Sequence, residues 1–190
     1  GNVGIQIHHI APLSINDITE KYLFWVKDPI VTEYLEISNQ QLEYGDLVNY
    51  VKESPKNGRH NYAVITKNSE YHIGNCSLHS IELNNKKFKI GWLIGEKEFW
   101  GSHYSSMIIF NLLKIGFIEM DLKKCIGEVY KNHIKARMTN KFSGFKEFDT
   151  RIIEKDNKKK ALIKHEIIKK DWLAHTKILH SLYPDLYDEY

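Results

Sequence analysis

Small and hydroxyl-bearing residues cluster between a buried strand and a helix. Gly101, Ser102, Ser105 and Ser106 follow the apolar run at residues 90–94, and an apolar helical pattern begins directly after them. Glycine and serine let a backbone approach a ligand closely, and the first N–H groups of a helix have no partner within it. Phosphate and pyrophosphate bind at such places, assisted by the helix dipole. The segment therefore indicates an anion-binding strand–loop–helix unit, or an ordinary helix start capped by Ser102.

The run IGWLIGEKEFWG at residues 90–101 resembles the acetyl-CoA loop of the GNAT acetyltransferase superfamily. The most similar branch includes ribosomal-protein N-terminal acetyltransferases and amino-sugar N-acetyltransferases. Three further segments follow the family's order, at residues 8–36, 71–82 and 123–145, and the resemblance spans roughly residues 5–172. It implies an α+β GNAT fold, with one mixed, mostly antiparallel sheet flanked by helices and splayed central parallel strands that hold coenzyme A. It also implies acetyl-CoA as cosubstrate, without a metal.

The resemblance also implies which residues hold the cofactor. The backbone of Trp92, Leu93 and Ile94 would pair with the pantetheine arm, as an added strand would. Asn132 would contact the same arm, and Arg137 would reach the phosphates, although a solvated helix surface suits Arg137 equally. The pyrophosphate would lie on the backbone N–H groups of Gly101, Ser102, His103, Tyr104, Ser105 and Ser106.

The sequence departs from the family's pattern at several positions. His103 and Ser105 replace the two loop glycines, and we expect the His103 ring to point outward so that the loop stays open. Lys89 stands where the family often has a strand carboxylate. Thr139 or Asn140 occupies the place of its frequent tyrosine general acid. Cofactor binding is therefore easier to predict than the groups that move protons.

Acetyl transfer requires a neutral amine and a leaving thiolate that is protonated or stabilised. His79 and Glu82 fall on or just beyond the strand that faces the acceptor in this family, and imidazole titrates near neutrality. Glu128 and Tyr130, on the fifth strand, are a second candidate base and a candidate proton donor. Each also has a simpler interpretation: a surface histidine, a solvated hairpin edge, or a cross-strand partner of a lysine.

Aromatic residues in the first helical region would form the acceptor wall in this fold, among them Trp25 and Tyr34. Aromatic faces suit a sugar ring or a nucleobase, and equally an ordinary core. The predicted acceptor is the primary amine of a small molecule, with a nucleotide-linked amino sugar ahead of a polyamine, an amino acid or a protein N-terminus. The alternative is a GNAT-fold module that binds coenzyme A, or regulates, with little or no catalysis.

Size and composition favour one globular acetyltransferase domain over residues 1–190, with the last helix as an extension. Hydrophobic residues make up 42% of the chain and aromatic residues 12%, and the formal net charge of +3 is mild. Nothing here requires nucleic acid or a membrane. Cys76 and Cys125 suit a reducing compartment, and no signal peptide or membrane-length apolar run is present. We therefore expect a cytoplasmic monomer or homodimer.

Hydrophobic periodicity predicts the order β-α-α-β-β-β-α-β-α-β-β, followed by a last helix. Ser14 is the expected N-cap of the first helix, and the lysines at 158–160 are expected at a hairpin tip. The helices are predicted at residues 15–26, 40–53, 104–120, 132–141 and 170–182, and the strands near 5–10, 62–66, 72–78, 88–94, 125–129, 148–154 and 162–168.

Overall fold

The computed structural model describes residues 7–67, 70–101 and 103–190, with residues 7–9 described by backbone only. Ile5, predicted in the first strand, and Ser102, predicted in the anion-binding loop, lie outside the described residues. The strands are β1 (Ile7–Pro12), β2 (His60–Thr66), β3 (His72–Glu82), β4 (Lys87–Ile94), β5 (Lys124–Tyr130), β6 (Lys146–Lys155) and β7 (Lys158–Ile168). The helices are α1 (Glu20–Lys27), α2 (Tyr44–Glu53), α3 (Tyr104–Lys114), α4 (Ile134–Phe142) and α5 (Lys169–Leu182).

The seven strands form one mixed sheet in the order β1-β2-β3-β4-β5-β7-β6. The chain reaches β5 from β4 through α3, and these two strands pair in parallel, as predicted. Their ladder has two residue pairs, Lys87 with Lys124 and Phe88 with Cys125. Beside it, β5 pairs antiparallel with β7 from Lys124 to Tyr130. The predicted element order and the GNAT sheet are therefore confirmed.

The first helix begins later than its sequence pattern indicates. Ser14 starts only a short 3-10 turn, in which its backbone N–H donates to Asp17 Oδ2 at 2.8 Å. Thr19 is the N-cap of α1, and its hydroxyl accepts the backbone N–H of Tyr22 at 3.3 Å. The prediction that Ser14 caps the main helix was wrong because Asp17 closes the turn locally, and a second capping residue follows.

The last hairpin has a tighter turn than predicted. Asp156 and Asn157 both have left-handed backbone, with φ of 53° and 60°. Two such residues match a two-residue hairpin turn, which aspartate and asparagine tolerate well. The lysines at 158–160 therefore belong to β7 rather than to a loop.

The chain divides into two compact units, each described by itself. The first unit comprises Gly1–Ser80 and Gly91–Ile108. In it, α1 and α2 pack through apolar side chains that include Tyr22, Trp25 and Leu47, all at most 4% exposed. Burial of such side chains contributes about 1.5–3 kcal/mol each.

The second unit comprises Ile81–Ile90 and Ile109–Tyr190. Its core is rich in aromatic rings: Phe117 contacts Phe88 and Trp172 at centroid distances of 5.3 and 5.5 Å. Phe110 of α3 also contacts Trp172, at 5.6 Å. The prediction that α3 is largely buried is correct.

Within the described ranges, no helix combines the length and apolar character needed to cross a membrane.

Gly74 of β3 allows a close approach between neighbouring strands of the first unit. A Cβ at this position would overlap the backbone carbonyl oxygen of Leu93. We expect Gly74→Ala to lower the free energy of unfolding by about 1–3 kcal/mol, because a strand backbone cannot move aside as a side chain can. Urea denaturation would measure the loss.

Gly45 of α2 provides the matched control for this prediction. A Cβ there meets no atom within 4 Å, and alanine is favoured over glycine in a helix by up to about 1 kcal/mol. Gly45→Ala is therefore expected to leave stability unchanged or higher. A Gly74→Ala protein as stable as Gly45→Ala would contradict the proposed overlap.

Candidate active site

A cavity of about 750 Å³ opens in the first unit over the middle of β2, β3 and β4. One part of its lining is apolar and includes Val26 and Leu47. The rest is polar, and the polar residues on or beside the strands are Arg59, Asn61, Asn75, Ser77 and His79. A concave surface with convergent polar groups on a rigid sheet is the usual form of a small-molecule site.

His79, the predicted base, lines this cavity. Its ring is half-buried, and Nδ1 lies 2.9 Å from Ser80 Oγ. Gly91 of β4 lies beside it: a Cβ there would be 3.9 Å from His79 Nε2 and 3.5 Å from Ser77 Oγ. The missing side chain at Gly91 thus leaves space directly against the imidazole.

The two aromatic residues predicted for the acceptor wall have different positions. Tyr34 lines the cavity. Trp25 is 1% exposed, and its Nε1 donates to Glu96 Oε1 at 3.2 Å. The Trp25 ring occupies the position that a Cβ of residue 95 would take, so it fits in the core only because residue 95 is glycine. The structure therefore brings Tyr34 to the cavity and gives Trp25 a packing role.

Cys76 also lines the cavity, and its chemistry is limited by its surroundings. Burial raises the pKa of the Cys76 thiol well above its usual range. A protonated thiol is a poor nucleophile, since the thiolate is the reactive form. The cavity therefore does not indicate a covalent cysteine mechanism.

The end of β4 carries the residues predicted to pair with the pantetheine arm. The Leu93 carbonyl faces Gly74 of β3. Trp100 Nε1 donates to the Ile94 carbonyl at 2.8 Å and so fixes the following loop to the strand.

The loop and the start of α3 have the geometry of an anion site. Gly101 has φ of 77°, in the left-handed region that favours glycine. The His103 carbonyl accepts the N–H of Met107 and the hydroxyl of Ser106, both at 2.9 Å, so α3 starts at this point. In an α-helix generally, the first N–H groups lie beyond the internal ladder, and a helix start can therefore bind an anion. These features fit a pyrophosphate.

The side chains of Tyr104, Ser105 and Ser106, next to the loop, differ in burial and in hydrogen bonding. Tyr104 is 6% exposed, and its ring meets Phe99 edge-on at a centroid distance of 5.1 Å. The Ser106 hydroxyl is used within the helix start, whereas Ser105 is half-buried. Of the two described serines, Ser106 therefore already uses its hydroxyl within the helix start.

Two further candidate bases lie in the second unit, on the surface of the sheet. Glu82 is exposed and accepts a hydrogen bond from Asn85 Nδ2 at 3.0 Å. Glu128 lies opposite Lys164 in the β5–β7 ladder and binds Arg151 through both carboxylate oxygens, at 3.0 and 3.1 Å. Both carboxylates therefore have structural partners.

The remaining predicted residues also belong to the second unit. Tyr130 is half-buried, with Lys160 Nζ 5.4 Å from its ring centroid. Asn132 is exposed just before α4. Arg137 donates to both carboxylate oxygens of Glu147, at 2.8 and 3.0 Å. Thr139, at the family's acid position, donates to the Lys135 carbonyl of its own helix at 2.9 Å.

The sequence reasoning missed most of the cavity lining, including the polar residues Tyr50, Arg59, Asn61 and Ser77. Ser77 could have been found from the sequence because it lies two residues before His79, and this spacing places both side chains on one face of β3. Arg59 and Asn61 share the same spacing at the start of β2. Their meeting with Ser77 depends on the β2–β3 register, which sequence periodicity does not fix.

Comparison with known proteins agrees with this architecture. Residues 9–146 match the model of the acetyltransferase (GNAT) domain. The chain therefore belongs to the GNAT acetyltransferase family, and it is an N-acetyltransferase. It is 26% identical over 150 residues to the uncharacterized N-acetyltransferase p20 of Bacillus licheniformis, covering 77% of this chain and 83% of that protein.

Solved structures share the fold. The spermidine N-acetyltransferase of Vibrio cholerae, in complex with CoA and spermine, is 18% identical with a TM-score of 0.76, covering 87% of this chain and 97% of that one. A GNAT-family acetyltransferase from Bacillus anthracis is 19% identical with a TM-score of 0.74, covering 87% and 98%. At this identity the likeness concerns the fold.

Proposed function

We propose that this protein transfers an acetyl group from acetyl-CoA to the primary amine of a small acceptor bound in the cavity of the first unit. One observation carries the proposal: β4 contributes residues both to the cavity and to the segment that would bind the pantetheine arm. Gly91, Trp92 and Leu93 line the cavity, and Trp92, Leu93 and Ile94 are the positions that would pair with the pantetheine arm. An acceptor in the cavity would therefore lie next to the acyl donor, which is the arrangement that direct transfer needs.

The residues that would hold coenzyme A are those of the strand end and the loop. The β4 backbone would bind the pantetheine arm, and the N–H groups from Gly101 to Ser106 would bind the pyrophosphate. Asn132 and Arg137 are proposed contacts of the arm and the phosphates. When bound, acetyl-CoA supplies a thioester carbonyl that an amine can attack.

His79 is the proposed base. It faces the space beside Gly91 and would take a proton from the acceptor nitrogen as the new nitrogen–carbon bond forms and the carbon–sulfur bond breaks. The polar groups on the cavity floor would orient the rest of the acceptor. Tyr130 remains a proposed donor to the leaving thiolate, and Glu82 and Glu128 are less favoured bases because of their present partners.

Two acceptor classes have support. Glu36, Asp46 and Glu53 line the cavity at exposed positions and would attract a cationic amine, as in a polyamine. Spermine is the compound bound by the Vibrio cholerae enzyme of the same fold. The aromatic ring of Tyr34 and the polar floor support the other class, a nucleotide-linked amino sugar.

We also propose a cytoplasmic location, since both cysteines are buried free thiols.

Binding of acetyl-CoA is the first test. A ligand that binds only the folded state at a hundred times its Kd stabilises that state by about 2.7 kcal/mol, so we expect a concentration-dependent rise in Tm. Thiol release with a panel of primary amines would then report transfer. Acetyl-CoA should stabilise the protein, and at least one amine should accelerate thiol release.

The outcomes separate the proposal from its alternative. A Tm rise without thiol release on any amine would favour a binding or regulatory module, for which the replacement of loop glycines by His103 and Ser105 is the supporting observation. Absence of any Tm rise at millimolar acetyl-CoA would contradict both.

A further inference from the structure

Arg59 is a charged side chain on the cavity floor whose position is not explained by binding an amine. It is half-buried and lines the cavity. Its Nη1 donates to Ser77 Oγ at 2.9 Å, and its guanidinium carbon lies 6.0 Å from the Tyr50 ring centroid. Among the described residues, no carboxylate forms an ion pair with it. A guanidinium carries five N–H donors. The hydrogen bond to Ser77 uses one of them, so further donors can bind a ligand.

Asn61 adds a second donor at the same place. Tyr50 Oη donates to Asn61 Oδ1 at 3.0 Å, which fixes the amide with Nδ2 as its remaining polar atom. Within the described part of the chain, this buried Nδ2 has no hydrogen-bond partner. A buried amide N–H without an acceptor is costly, by about 1–3 kcal/mol, so an acceptor atom from a ligand would be favourable there.

Ser77 completes the cluster. It is the cross-strand partner of Asn61, so the two side chains share one face of the sheet. Because Ser77 Oγ accepts from Arg59, its own proton is available for donation. Guanidinium, amide and hydroxyl therefore present donors from adjacent positions, which is the arrangement that recognises an oxyanion.

Two acidic residues of the cavity, Glu53 and Asp46, have partners outside this cluster. Glu53 pairs with Lys56 at 3.1 Å, and Asp46 Oδ2 accepts the Glu43 backbone N–H at 2.8 Å at the start of α2. Both are exposed, whereas Ser77 is 5% exposed. The cavity thus combines exposed carboxylates with a floor of hydrogen-bond donors.

We propose that the acceptor carries an oxyacid group, a carboxylate or a phosphate, that binds Arg59, Asn61 and Ser77 while its amine lies beside Gly91 and His79. This inference rests on the proposed acetyltransferase function and specifies its substrate class as an amine that also bears an anion. A polyamine, which has no such group, leaves the Arg59 cluster without a partner.

The sheet sets the separation between the two ends of the acceptor. Asn61 lies at the start of β2 with Arg59 just before it, and Gly91 lies on β4, with β3 between them. Neighbouring strands are about 4.8 Å apart, so an anion on Arg59 and an amine beside Gly91 are separated by up to two such spacings, ~10 Å. That range fits an amine on a short chain or a sugar ring that ends in a carboxylate or phosphate.

The test compares acceptors of similar length and different end groups, by acetyl-CoA-dependent thiol release. The panel is δ-aminovalerate, aminopropyl phosphate and cadaverine, which end in a carboxylate, a phosphate and a second amine. We expect the wild type to have a higher kcat/KM for one or both anionic amines than for cadaverine. The better of the two anionic compounds identifies which oxyacid the site prefers.

Arg59→Gln should then lower kcat/KM for the preferred anionic amine by about tenfold or more, the effect of losing a charge-assisted hydrogen bond. The ratio of anionic amine to cadaverine should fall accordingly. Arg59→Lys, which keeps the charge, should recover part of that ratio. Lys52→Gln is the matched control, because it removes an exposed positive charge of α2 that does not line the cavity, and it should leave the ratio unchanged.

Each outcome decides the inference. A wild type that prefers cadaverine, or a ratio that Arg59→Gln does not change, overturns the anion site while leaving amine acetylation intact. If no amine is acetylated, the proposed function fails separately, and calorimetric titration of the same three compounds then decides the anion site. Binding of the anionic compounds that is lost in Arg59→Gln supports it, and equal binding by both proteins overturns it. Ser77→Ala provides a second variant if Arg59→Gln does not fold.

Discussion

Replacement of His79 by glutamine is expected to lower kcat/KM for the acceptor by about 100-fold. General acid–base groups typically contribute 100-fold or more, and His79 is the imidazole that lines the cavity beside Gly91. Glutamine keeps the size and hydrogen-bonding capacity of the side chain but cannot take up a proton. Steady-state kinetics with a primary amine that the wild type acetylates would measure the loss.

His60→Gln is the matched control for this prediction. His60 lies on β2 at an exposed position and is not among the residues that line the cavity. It should retain the wild-type rate, and both variants should keep the Tm rise caused by acetyl-CoA. A His79→Gln enzyme within a few-fold of the wild type would remove His79 as the base and return attention to the acceptor's own ionisation or to Glu128.

Local sequence patterns predicted the elements that are proposed to hold the cofactor. The buried strand β4, the glycine-containing loop and the apolar helix α3 are determined by residues next to one another, so periodicity and turn chemistry suffice to find them. The family resemblance then supplied the single mixed sheet and its parallel central strands. Capping was harder, because Ser14 and Thr19 are both good N-caps, and only the closed turn at Asp17 decides between them.

The lining of the cavity was anticipated only in part, and its role as the acceptor site is a proposal. Tyr34 and His79 line the cavity, whereas Trp25 lies in the core. The sequence does not show that Gly95 leaves room for the Trp25 ring. Arg59 was missed because its significance comes from Ser77, 18 residues later, and from the register that joins the two strands. Long-range pairing of this kind is the information that hydrophobic periodicity lacks.

Acidification is expected to destabilise the protein through His165, which lies on β7 opposite Gly127. His165 is 7% exposed and meets the Phe145 ring edge-on at 4.9 Å. Its Nδ1 has no hydrogen-bond partner within the described residues. Burial lowers the pKa of His165 from 6.5 to about 4, although the nearby Glu147 and Glu128 oppose the shift. In the folded state the ring therefore stays neutral until the pH approaches 4.

The direction of the effect follows from proton binding. Below pH 6.5 the unfolded chain takes up a proton on this histidine, whereas the folded protein does not, so stability falls as the pH decreases from about 6.5 to 4. At 1.36 kcal/mol per pKa unit, the full loss is about 3 kcal/mol. Urea denaturation at a series of pH values would measure it, and His165→Gln should flatten the curve in this window.

His60→Gln again serves as the control, because it removes an exposed histidine and leaves the buried ring of His165 in place. Paired carboxylates such as Glu147 also lose stability in acid, so the informative quantity is the difference between the wild-type and variant curves. That difference should be confined to the interval between the two pKa values of His165. If the His165→Gln and wild-type curves stay parallel from pH 7 to 4, the buried ring is already protonated in the folded protein, and its environment must include an acceptor for that charge.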